Sequence, residues 1–197
     1  MFFEDLYVLF LLNVLTTFSF FLIVPFPPAL VGLWAVAQRS AEGHIVQVQD
    51  WWASLKRYFW PAWGWAALNG LACGLMLYNL RFYGPAGNFP LVEPRWLPGA
   101  FQGAIAAVYA FWVAGQLYVF PFLLEDERPH LLRALWRSFA LVLEHPLYSL
   151  TVLLTIVVLL VLSTVAFGVG FFVVPAAVAV LTVVAARELL GKDDPQP

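Results

Sequence analysis

Three histidines, a run of three acids and one cysteine have the most chemistry to offer, and their spacing offers little. His44, His130 and His145 fit no compact metal-ligand signature, and interfacial or helix-capping positions suit them better. Glu125-Asp126-Glu127 stands before a basic helical stretch. Acids there complement the positive end of a helix dipole, with divalent-cation binding as the competing reading. Cys73 is the single cysteine, so an intramolecular disulfide and a multi-cysteine metal site are both excluded. Inside its apolar run it reads as a small buried packing residue. No Ser/His/Asp pairing, glycine-rich phosphate loop or nucleotide motif occurs. A non-catalytic chain without cofactor, metal or nucleic acid is therefore expected.

The polar residues inside apolar runs are the next candidates. Asn13, Asn69 and Gln116 are the most costly in lipid and should face protein. Hydrogen bonds between helices, worth about 0.6 kcal/mol each on average, are the expected role, and a polar substrate site is the alternative. No ionisable residue falls at the centre of an apolar run, which weighs against a proton-coupled pump. Two pairs of bases, Lys56 with Arg57 and Arg133 with Arg137, lie in amphipathic stretches instead. They are the candidate contacts for anionic lipid headgroups or a partner subunit.

The elements that must position these residues are membrane spans. Hydrophobic residues make up 62% of the chain and charged ones 11%, against about 45–50% and 25% in soluble domains. The run Leu6–Val24 carries no charge and, at about 1.5 Å per residue, reaches across a bilayer core. Pro25-Phe26-Pro27-Pro28 follows and must break the helix, after which apolar residues resume to Ala37. Residues 25–38 then form either a kinked continuation or a re-entrant piece packed on protein. Further runs are 60–80, 99–124, 146–168 and 171–190. The reading is all-α: one polytopic membrane domain over 1–190, with five transmembrane helices, the first broken by proline, and a disordered tail at 191–197. The start of the chain, with Glu4 and Asp5, reads as a retained span rather than a signal peptide.

Small residues recur every fourth position in two runs: Ala66, Gly70 and Gly74, then Gly99, Gly103 and Ala107. They suit close helix packing, within the chain in the first instance or across a homo-oligomer. Arg81–Pro98 is dense in proline and glycine and reads as a loop. Two amphipathic helices are expected at the interface. The first starts at Asp50 as N-cap and carries Trp51, Trp52 and Leu55. The second lies within Glu125–His145, with Leu132, Leu135, Trp136, Phe139, Val142 and Leu143 at helical spacing. With five spans, one side holds Arg39, Lys56, Arg57, Arg128, Arg133, Arg137, Arg187 and Lys192, and the other holds Arg81 and Arg95. That asymmetry places the first set in the cytoplasm and the N-terminus outside. The loops also echo one another, as do Ile23-Val24-Pro25, Val119-Phe120-Pro121 and Val173-Val174-Pro175, which suggests a duplicated hairpin with a fifth helix added.

Leu11–Leu15 (LLNVL), the turn Val24–Val36 (VPFPPALVGLWAV), Gly43 and Asp50–Ala62 (DWWASLKRYFWPA) together resemble the YesL family of bacterial membrane proteins. The match covers about the first third of the chain. The Phe-Pro-Pro turn departs from the family's commoner Thr-Val-Gly-like stretch. The resemblance implies a multi-pass protein of the bacterial inner membrane, often encoded near carbohydrate ABC importers and two-component regulators, and implies no established activity. The expected function is a non-catalytic accessory or regulatory component, with membrane lipids and an importer or sensor subunit as partners. The alternative is a small permease or channel for a polar solute.

Overall fold

The computed structural model describes residues 2–83, 97–126, 129–165 and 173–191, and its elements are all helices. They are α1 Phe2–Leu22, α2 Phe26–Ala41, α3 Val48–Arg57, α4 Phe59–Tyr83, α5 Leu97–Gly115, α6 Val119–Glu125, α7 Leu131–Glu144, α8 Pro146–Val165 and α9 Val174–Leu189. Residues 84–96, with Arg95, lie outside the described residues, as do Glu127, Arg128, residues 166–172 between the last two runs, Lys192 and the rest of the tail.

Proline decides where the helices break. α1 stops at Leu22, and Ile23 takes a φ of 57°, a strained value for a β-branched residue. α2 then starts with prolines in its first turn, where backbone N–H groups have no helical partner anyway. Its first full-turn bond runs from Ala29 N–H to Pro25 O (2.9 Å). The carbonyl of Val24 is met from α4, where Trp63 Nε1 donates to it at 3.1 Å. The continuous span expected over 99–124 is broken in the same way, because Pro121 supplies no N–H and crowds the turn before it. The chain tightens over 116–118, with Gln116 N–H on Val113 O and Leu117 N–H on Ala114 O, and α6 follows. Ser138 of α7 meets the groups freed there. Its Oγ accepts from Tyr118 N–H (3.2 Å) and donates to Gly115 O (2.7 Å). Ser138 is fully buried, so its hydroxyl takes the place of water at those groups.

The three helices that begin at a Val-Pro or Phe-Pro step, α2, α6 and α9, pack on one another. α2 is buried along most of its length, and it also packs on α1, α3 and α4. It is therefore a separate core helix of 16 residues, longer than the short apolar piece 29–37 suggested. Trp34 joins the three. Its Nε1 donates to Thr182 Oγ1 of α9 at 2.9 Å, and its ring meets Phe120 of α6 edge-on at 5.0 Å. Trp34–Thr182 and Glu42–Arg187 advance together, so α2 and α9 run parallel. α4 and α5 form an antiparallel pair that closes with Tyr83 stacked on Phe101 at 5.4 Å.

Among the described residues, two stretches are long and apolar enough to cross a membrane. They are Gly99–Glu125, across α5 and α6, with mean hydropathy 1.6, and Pro146–Thr164 in α8, with mean hydropathy 2.4. Only 11% of the α8 window is buried. A helix apolar on all sides and left uncovered by its own chain has no stable place in water.

Several expectations are corrected. The N-cap of α3 is Gln47, not Asp50. Asp50 sits at the third position and closes a capping box by accepting from Gln47 N–H (3.0 Å). α4 continues through Arg81 to Tyr83, because helical pairing persists until the proline- and glycine-rich stretch begins. Glu125 and Asp126 end α6 rather than start α7. Cys73 is exposed. Gly70, Gly74, Gly99 and Gly103 have no neighbouring atom within 4 Å of where a Cβ would stand, so these stripes are not the seams of the chain. Among the described glycines the most tightly covered are Gly32, under Trp51, and Gly115, under Phe139.

Candidate functional site

The polar residues of the apolar runs are divided between two places. Asn69 of α4 and Gln116, just past α5, meet. Asn69 Nδ2 donates to Gln116 Oε1 at 3.3 Å, and Trp65 Nε1 donates to the same oxygen at 2.9 Å. Trp112 Nε1 donates to Asn69 Oδ1 at 3.1 Å, while Gln116 Nε2 reaches Trp112 O at 3.4 Å. Two amides and two indoles thus satisfy one another between a pair of helices, with no ionisable group. Such a clasp fixes register and has no means to move a proton or a bond. Asn13 stands apart. It is 1% exposed on α1 and borders an apolar groove of about 650 Å³ against α8 and α9.

The four bases divide by what neutralises them. Lys56 Nζ is exposed and lies 5.4 Å from the centre of the Trp52 ring, and Trp52 is itself exposed. Arg57 stands over Tyr58 at 5.4 Å. Arg133 pairs with Asp126 (3.6 Å). Arg137 pairs with Glu125 (3.1 Å) and Asp126 (3.8 Å), and it lies 4.5 Å from the centre of the Phe122 ring. The basic edge of α7 is therefore largely spent on the end of α6. Its apolar side is split: Leu135, Leu141 and Val142 face the core, while Leu132, Trp136 and Leu143 are exposed. α3 repeats this division with Trp51 and Leu55 buried beside exposed Trp52.

Between these two helices opens a polar cavity of about 720 Å³, walled by the ends of α2 and α6 and by α3 and α7. Arg57 and Arg137 line it; Lys56 and Arg133 do not. The chain also brings Arg39, Glu42, Asp50, Glu125 and Asp126 to its wall. Arg39 is bonded to Asp50, and Arg187 of α9 approaches Glu42 at 3.9 Å. Tyr58, also on the wall, is buried, which pushes its phenol upward against the opposing charge of Arg57. It stays a neutral hydroxyl over the physiological range. His44 lies 3.6 Å from Glu42, and His130 and His145 flank α7 at its N- and C-cap positions.

Arg39, Glu42 and Gln38 were not legible as site residues. Only helical spacing within α2, one turn apart past a buried stretch, hints that they share an edge. Ser138 gave no signal either, since a lone serine in an amphipathic helix reads as polar-face filler. No family model, no curated protein and no solved structure matches this chain.

Proposed function

We propose that this chain is a non-catalytic, multi-pass membrane protein, a YesL-like accessory or regulatory component of the bacterial inner membrane. In this reading α3 and α7 rest on the cytoplasmic interface. One observation carries it: both helices leave bulky apolar side chains uncovered (Trp52; Leu132, Trp136 and Leu143) beside exposed bases, Lys56 and Arg133. That pairing suits a boundary between acyl chains and anionic headgroups. This reading has five crossings with the N-terminus outside; Arg39, Arg57, Arg133, Arg137 and Arg187 gathering at one end of the bundle support placing that end in the cytoplasm, since basic residues accumulate on the cytoplasmic side. Each base near an anionic leaflet adds about 1 kcal/mol. An importer or sensor subunit is the protein partner this reading expects. Replacement of Lys56, Arg57, Arg133 and Arg137 by Gln tests it. The expected outcome is weaker retention of anionic lipid and loss of co-purifying subunits; unchanged topology, lipid preference and partner recovery would overturn it.

A second reading, a small permease for a polar solute, is favoured by two proline-broken stretches in echoed order, with Asn13 buried in the helix before the first break, since discontinuous helices mark many transporters. Uptake into proteoliposomes separates the two readings. A solute flux lost on Asn13→Leu favours the permease, and a lack of flux across a panel of polar solutes favours the accessory role.

A further inference from the structure

We infer that the two interfacial helices divide their work: α3 selects anionic lipid through Lys56, flanked on one helix face by Trp52 and Trp60, while α7 seats on the bilayer by apolar contact alone. The inference rests on the reading that both helices lie at the membrane interface, and it names the lipid class and the residue that selects it. Val48, Trp52 and Lys56 follow at four-residue steps along α3, and Trp60 takes the next step at the start of α4. Residues four apart share a helix face. Helical bonding continues across the joint, since Tyr58 N–H donates to Ser54 O and Ala62 N–H donates to Tyr58 O, both at 2.9 Å. All four side chains of this stripe are exposed.

The tryptophans of the described residues fall into two groups. Trp34, Trp51, Trp63, Trp65 and Trp112 each donate their Nε1–H to an acceptor within the chain. Trp52, Trp60 and Trp136 donate to nothing among the described residues, and their exposures are 53%, 79% and 77%. An apolar ring with an open donor suits the headgroup level of a bilayer, where ester and phosphate oxygens accept. Open indoles therefore mark α3 and α7 alike, and charge tells the two apart. Arg133 stands 3.6 Å from Asp126, and Arg137 stands 3.1 Å from Glu125. Two bases against two acids leave α7 little to offer an anion. Lys56 has no carboxylate partner among the described residues, and its Nζ lies 5.4 Å from the centre of the Trp52 ring. A phosphate with net negative charge complements that ammonium, with the indole donors beside it. A zwitterionic headgroup carries its own cation and gains less from Lys56.

The test uses the full-length protein in mild detergent, offered phosphatidylglycerol and phosphatidylcholine with identical acyl chains. Native mass spectrometry reads the ratio retained. The expected result is a preference for phosphatidylglycerol that falls about fivefold in Lys56→Gln, the equivalent of about 1 kcal/mol for one base near an anionic leaflet. Lys56→Arg should keep the preference. Arg133→Gln changes the net charge by the same unit and should lower it far less. An unchanged preference in Lys56→Gln, or an equal fall in Arg133→Gln, would overturn the inference. So would a co-purifying subunit lost in Lys56→Gln with the lipid preference intact, since that gives the face to a protein partner. Spin labels on Val48→Cys and Leu132→Cys, each made in Cys73→Ser protein in nanodiscs, separate this inference from the reading beneath it. Both labels at the lipid boundary with no effect of Lys56→Gln would refute the choice of Lys56 alone. Both labels in water would refute the interfacial reading as well.

Discussion

The stretch α1–α4 and the stretch α5–α8 share a plan: a long helix, a proline break, a second helix, an amphipathic helix, then another long helix. They use the break differently. After the first break, prolines in the opening turn of α2 let the helix run for 16 residues into the centre of the molecule. After the second, α6 lasts seven residues and ends in the carboxylates that hold α7. In both, an aromatic residue of the amphipathic helix covers a glycine of an earlier helix, Trp51 on Gly32 and Phe139 on Gly115. The freed backbone is met by an indole in the first unit and by a buried hydroxyl in the second. Their bases differ as well. Lys56 of α3 remains exposed, whereas Arg137 of α7 is bound to α6. One order of elements thus produces a core helix in the first stretch and a clamp in the second, and the length of helix after the proline separates them.

The sharpest way to break this comparison is at the core helix. Trp34→Ala should cost about 3–5 kcal/mol of stability, the usual price of emptying a large aromatic site. Reversible unfolding in mixed micelles would measure it, and a loss under 1 kcal/mol would deny α2 its central place. Next come the two glycines. A Cβ on Gly115 would fall 2.0 Å from Phe139 Cε1, against 2.9 Å from Trp51 Cδ1 for Gly32. Gly115→Ala should therefore destabilise by about 1–3 kcal/mol and by more than Gly32→Ala, and Phe139→Ala should recover part of the loss. The reverse order would show that the first seam is the tighter.

Ser138→Ala leaves a buried N–H and a buried carbonyl without a partner and should cost about 1–3 kcal/mol. Trp63→Phe, at the exposed carbonyl of the first break, should cost less. Equal losses in unfolding assays would make the two breaks equivalent after all. The smallest effect belongs to the polar clasp. A double-mutant cycle of Asn69→Leu and Gln116→Leu should give a coupling near the average of about 0.6 kcal/mol for interhelical hydrogen bonds. A coupling of zero would mean that the two amides act independently.

The helical class, the first proline break and the two amphipathic helices could be read from the chain alone, because each depends on neighbours within one or two turns. Apolar runs without charge, prolines that remove donors and residues three and four apart act locally, so residue order determines them. What tertiary structure decided depends on partners far along the chain. Asn69 and Gln116 stand 47 residues apart, and Trp34 and Thr182 stand 148 apart. The four-residue glycine stripes suggested packing seams, yet they are open, while two glycines outside any pattern are covered by aromatic rings. A glycine's value depends on what approaches it, and no spacing records that. The cavity has the same origin. Arg39 and Glu42 come from the end of a stretch expected as a kinked continuation or a re-entrant piece, and Glu125 and Asp126 come from a helix end expected to begin the next element. Only the packing of α2, α3, α6 and α7 places their charges around one space.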